Sequence, residues 1–138
     1  MKKSLVSVLS IVLLLFLFAC SSNQSSITIV GTPDSYSPFS SVVRGIQLTV
    51  SAPIEGDEIE YRWKTTGGTF FDNADGTAVV EYTGKSVFWS CSFDDTSKYY
   101  AGDITKISVI AYNTKTGNSV AYGSIEITKT DTIYSIDK

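Results

Sequence analysis

Residues 58–71 read Glu-Ile-Glu-Tyr-Arg-Trp-Lys-Thr-Thr-Gly-Gly-Thr-Phe-Phe. Up to Lys64 the alternation is strict. Ile59, Tyr61 and Trp63 share one parity, and Glu58, Glu60, Arg62 and Lys64 share the other. Successive side chains of a strand point to opposite faces, so this stretch is a β-strand with a dry aromatic face and a wet charged one. Gly67-Gly68 interrupts it, and Thr69-Phe70-Phe71 resumes. A face built on Trp63 and Tyr61 has to be covered, so the rest of the chain is expected to supply a second sheet.

The remaining residues fit that demand. Ile46, Leu48 and Val50 alternate with Gln47, Thr49 and Ser51. Val87, Trp89 and Cys91 alternate with Phe88, Ser90 and Ser92. Ile107, Val109 and Ala111 alternate with Lys106, Ser108 and Ile110. Ile27-Thr28-Ile29-Val30 is a short first strand, closed by Gly31-Thr32-Pro33. Residues 34–41 read as an irregular crossing. Residues 77–83 read as a strand with Val80 and Tyr82 inward, joined to the next through a hairpin at residues 83–86. Residues 113–118 form a second hairpin loop. Along the last long strand the apolar positions change parity, from Val120 and Tyr122 to Ile125 and Ile127, so a bulge is expected at Gly123. Residues 131–138 are a tail or an extra edge strand. No helical period runs through residues 27–138. Seven to eight short strands with turn signals between them define an all-β fold, an antiparallel β-sandwich.

The amino terminus belongs to a different grammar. Lys2 and Lys3 precede an apolar run at residues 5–19, broken only by Ser7 and Ser10. A membrane span needs about 20 apolar residues, so this run suits a signal peptide. It ends Leu17-Phe18-Ala19-Cys20, which resembles a bacterial lipobox. That resemblance implies cleavage after Ala19 and lipid on Cys20, with residues 20–26 as a polar, flexible tether. Several acyl chains hold a protein on a bilayer stably, at about 0.8 kcal/mol per buried CH₂. Ser21 is not the Asp that resembles an inner-membrane retention signal, so the expected address is the cell envelope, at the outer membrane where two membranes exist.

Without Lys2 and Lys3 the chain keeps 9 basic residues against 14 acidic ones, about −5, and has no basic run. That disfavours nucleic acid and direct adhesion to anionic lipid. With Cys20 acylated, Cys91 has no intrachain partner, and a hydrophobic core has to hold the exported domain without a disulfide.

Tyr61-x-Trp63 followed by Gly67-Gly68-x-Phe70 is similar to the third-strand region of bacterial immunoglobulin-like and PKD-like surface domains. Residues 104–128, around a Gly-Asn turn, are similar to their last hairpin. The likeness covers residues 46–128. It implies an immunoglobulin-like sandwich over residues 27–130, serving as a spacer, an adhesion module, or a protein- or glycan-binding unit. The Trp-x-Phe-Gly-Asp-Gly signature of PKD repeats is absent, because Lys64-Thr65-Thr66-Gly67 stands in its place. The paired cysteines of antibody domains are absent too.

Candidate sites are few. The chain has no histidine, which removes the commonest general base and the commonest zinc ligand together. Ser-His and Cys-His arrangements are therefore excluded. Glu58 and Glu60 share a strand face, but Arg62 and Lys64 continue it, and a solvated charged row explains all four. Gly84-Lys85-Ser86 matches only the end of a phosphate loop; Val79 occupies the position of the required earlier glycine. The turn at residues 72–76 cannot be an EF-hand, since Phe71 and Tyr82 would fall where carboxylates are needed. Asp94, Asp95, Tyr99 and Tyr100 lie in one polar loop. They are the candidate ligand-binding residues, together with Trp89 should Phe88 take the inward position instead. Cys91 is expected to be a buried, inert thiol.

The sequence therefore leads to a non-catalytic protein, anchored to the membrane through lipid on Cys20, with an envelope or extracellular protein as partner. A carbohydrate-binding module using Trp89, Tyr99 and Tyr100 is the alternative. No metal and no cofactor is implied.

Overall fold

The computed structural model describes residues 25–39, 44–71, 78–91 and 101–137. Twelve strands are found there and no helix: β1 (Ser25–Ser26), β2 (Thr28–Thr32), β3 (Ser35–Tyr36), β4 (Ile46–Ser51), β5 (Ile59–Thr65), β6 (Thr69–Phe71), β7 (Ala78–Val79), β8 (Glu81–Thr83), β9 (Ser86–Ser90), β10 (Ile104–Asn113), β11 (Ser119–Thr130) and β12 (Ile133–Ile136). They form two sheets. The larger runs β3-β12-β11-β10-β5-β8, with β1 also paired to β11, and the smaller runs β2-β4-β9-β6-β7. The fold is the expected all-β sandwich, antiparallel except that β1 runs parallel to β11.

The parities read from the sequence meet between the sheets. From the smaller sheet come Ile46, Leu48, Phe70, Val87 and Trp89. From the larger come Tyr61, Trp63, Ile107, Val109, Ala111 and Ile127. All are buried. Both indoles find acceptors, as a buried polar tip must. Trp63 Nε1 donates to the Gly84 carbonyl at 2.7 Å and Trp89 Nε1 to the Gly67 carbonyl at 2.9 Å. The Tyr61 hydroxyl accepts the Ile54 N–H at 2.6 Å and so pins the loop between β4 and β5.

Four expectations are corrected. Residues 77–83 are not one strand. The chain leaves the smaller sheet after β7 and enters the larger at β8, and Val80 at the crossing is exposed. Residues 83–86 are not a hairpin, because β8 and β9 lie in different sheets; Gly84, at φ 152°, turns the corner between them. The bulge is not at Gly123. Ala111 faces Ala121 and Tyr112 faces Ser119, so the extra residue is Val120. Parity then holds from Ala121 to Ile127, and Tyr122 points outward. Gly123 answers a different demand: Ile27 crosses it so closely that a Cβ would overlap the Ile27 backbone. Finally, the last two residues of the expected tether, Ser25 and Ser26, already pair with Ala121 and Tyr122.

Residues 34–41 contain β3. Its Tyr36 stacks on Tyr134 of β12 at 5.7 Å between centroids and meets Trp89 edge-on at 6.1 Å. The Tyr36 hydroxyl accepts the Cys91 N–H at 2.6 Å. Burial drives its pKa well above the ordinary value. Cys91 is a free, buried thiol, as the alternation implied.

Candidate functional site

The outer face of the larger sheet is set by the residues opposite in parity to the core. Register places them in rows. Arg62 on β5 lies beside Ile110 on β10, which lies beside Tyr122 on β11; Thr83 of β8 extends that row. Lys64, Ser108 and Ser124 form the next row, extended by Glu81, and Glu60 lies beside Tyr112. On the β8, β5 and β10 part of this face, Arg62, Lys64, Glu81, Thr83, Ser108, Ile110 and Tyr112 line an open concavity of about 770 Å³.

The charges on this face neutralise each other. Arg62 Nε lies 2.5 Å from Glu60 Oε1, and its guanidinium carbon stands 4.6 Å from the centre of the Tyr112 ring. The Glu60 carboxylate raises the Arg62 pKa further. Lys64 Nζ meets Glu81 Oε1 at 3.2 Å, and Lys115 pairs with Glu58. The charged row expected from the sequence is thus a set of exposed ion pairs. Such pairs contribute little stability. Their consequence is to leave Ile110, Tyr112 and Tyr122 as an uncharged strip with polar margins. The face thus has an aromatic and aliphatic centre with an arginine beside it and charged residues around it. Among the described residues no group of three metal-ligating side chains comes together.

The residues singled out from the sequence fall elsewhere. Trp89 has no exposed surface; Tyr36 and Tyr134 pack edge-on against it and Gly67 takes its N–H. It offers no stacking platform, and the sugar-binding reading loses that residue. Phe88 takes the outward position instead, half-buried against Phe71 with centroids 6.5 Å apart. Asp94, Asp95, Tyr99, Tyr100 and Cys20 lie outside the described residues. The strip of Ile110, Tyr112 and Tyr122 was not anticipated. The outward parity of Ile110 was legible, but which strands lie side by side was not.

The fold and this face define a two-sheet β-sandwich with one open, self-neutralised sheet face. Compared with protein-family models, with curated proteins and with solved structures, the chain finds no match.

Proposed function

We propose that this is a non-catalytic, membrane-anchored lipoprotein of the bacterial cell envelope, whose immunoglobulin-like domain mediates protein interaction or adhesion. The observation that carries the binding role is the Ile110–Tyr112–Tyr122 strip on the outer face of β10 and β11, with Arg62 held over Tyr112. The anchor rests on the signal-like run and the Leu17-Phe18-Ala19-Cys20 sequence. The immunoglobulin-like reading is supported by strand order. Taken in chain order, β2, β4, β5, β6, β9, β10 and β11 occupy the places of strands A to G. Thus β2-β4-β9-β6 matches A-B-E-D and β5-β10-β11 matches C-F-G. Trp63 sits on the strand that carries the buried tryptophan of such domains. The β7–β8 excursion and the lack of a second core cysteine depart from that pattern. The non-catalytic reading is supported by the missing histidine and by the pairing of the carboxylates on the candidate face.

A photo-crosslinking amino acid placed at Tyr122 of the full chain tests both halves in cells. An adduct to another protein, formed from position 122 but not from Gln47 on the opposite sheet, is expected in the membrane fraction. The Cys20→Ala form should leave that fraction and keep its signal peptide. Equal labelling from both positions, or a Cys20→Ala chain retained and processed like wild type, would contradict the proposal.

A further inference from the structure

Five strands have a neighbour on one side only: β1, β3 and β8 in the larger sheet, β2 and β7 in the smaller. An open edge is a template for another strand, and folded proteins blunt it by keeping it short or charged. Four of these edges are blunted. β1, β3 and β7 have two residues each, and β8 has three with Glu81 among them. β2 is different. It spans five residues, Thr-Ile-Val-Gly-Thr, without charge or internal proline. Val30, at its centre, is 48% exposed.

The hydrogen-bond phase of this edge can be read. Val50 spends its N–H on the Lys85 carbonyl, on the side of β4 away from β2. Val50 faces Ile29, and Thr49 faces Val30. Ile29–Val50 is therefore a non-bonded pair, and Val30–Thr49 exchanges the ladder bonds. Ile29 and Gly31 thus direct their N–H and C=O groups outward, toward the open edge. Among the described residues no backbone group meets them.

We infer that β2 is a self-pairing edge, and that two copies of this chain associate antiparallel about a two-fold axis through Val30. Three observations favour a second copy as the occupant. First, Thr28 and Thr32 stand at equal distances on either side of Val30. In such a pair Val30 meets its own copy, Thr28 meets Thr32 of the other chain, and Ile29 meets Gly31, whose missing side chain makes room for Ile136 of its own chain. Second, Ile29 and Gly31 then exchange backbone bonds on both sides of the central pair, which satisfies the outward groups of each. Third, the edge is a window bounded by crossovers. The chain leaves for the larger sheet at Ile27, whose N–H bonds Tyr122, and again beyond Thr32 into β3. A strand of the same length that also turns away at both ends fits this window. An isologous contact of this kind closes on itself as a dimer and does not propagate.

The register makes a disulfide test decisive. A non-bonded antiparallel pair has Cα atoms about 4.5 Å apart, within disulfide range. Thr28 would lie roughly 13 Å from its own copy, out of range. Full-length Val30→Cys, treated with a mild oxidant, should give a covalent dimer. Thr28→Cys alone should give none, while Thr28→Cys expressed with Thr32→Cys should give a mixed dimer. Wild type reports any contribution from Cys20 or Cys91. Without oxidant, Val30→Lys should halve the mass of the detergent-extracted protein while its melting stays cooperative. No dimer from Val30→Cys, equal dimer from Thr28→Cys, or an adduct of Val30→Cys with a different protein would overturn the inference. An unchanged mass in Val30→Lys would overturn it as well.

Discussion

The indole N–H of Trp89 donates to the Gly67 carbonyl at 2.9 Å, and Gly68, the next residue, lies against the same ring. The double glycine that interrupts the organising strand is therefore more than a break. It lets the chain pass from the larger sheet to the smaller while wrapping the central tryptophan of the smaller one.

Gly68 sits at φ +68°, and a Cβ there would stand 2.6 Å from the Trp89 ring and 2.6 Å from the Ser90 carbonyl oxygen. Overpacking and the left-handed backbone together should make Gly68→Ala cost about 2–4 kcal/mol. Gly102→Ala, where nothing among the described residues lies within 4 Å of the new methyl, is the control and should be close to neutral. Urea unfolding of the two variants checks this.

Replacing either tryptophan by Phe removes a donor from an enclosed carbonyl and leaves a void. Trp89→Phe should cost more than Trp63→Phe, because the Trp89 bond is fully buried while the Trp63 bond lies at the partly open corner of Gly84. The unsatisfied carbonyl alone is worth about 1–3 kcal/mol. The ordering of the two midpoints in the same denaturant decides the point.

Tyr36→Phe takes away the acceptor of the Cys91 N–H. At neutral pH the loss should be about 1–3 kcal/mol. Burial raises the Tyr36 pKa in the fold, so the neutral phenol is favoured there over the unfolded chain, where it titrates near about 10. The stability this contributes is present in full below the unfolded pKa and falls as pH rises toward the folded one. The gap between wild type and Tyr36→Phe should therefore narrow above about pH 10. Melting temperatures across the alkaline range read it directly.

Thr105 Oγ1 is buried and has no hydrogen-bond partner among the described residues. Val has nearly the same shape and no hydroxyl to strand. Thr105→Val should be as stable as wild type or more so, by up to about 1–3 kcal/mol, the cost of an unsatisfied polar group. Thermal unfolding of the single variant is sufficient.

Alternation made β4, β5 and β10 legible, because each has one wet and one dry face. It could not say which sheet a strand joins. That depends on corners such as Pro33-Asp34, Val80 and Gly84, where one or two residues redirect the chain without changing parity. Ser25 and Ser26 of β1 look like tether because they bury nothing; backbone pairing alone holds them. Tyr36 was hidden in a Ser- and Pro-rich stretch, although its ring packs against Trp89. Gly123 is the visible bulge signal, whereas the inserted residue is Val120, an ordinary strand former. For the binding face, the outward residues were readable strand by strand. Their assembly into the Arg62–Ile110–Tyr122 row needed the β5-β10-β11 order, which is a property of the whole fold.

The most direct measurement is affinity capture from an envelope extract by immobilised wild-type protein and by Tyr122→Asp, with and without protease treatment of the extract. A protease-sensitive partner held by wild type and lost from Tyr122→Asp, with unchanged thermal stability of the variant, is the result this account predicts. The same partner held equally by both, or retention of a protease-resistant glycan instead, would contradict it.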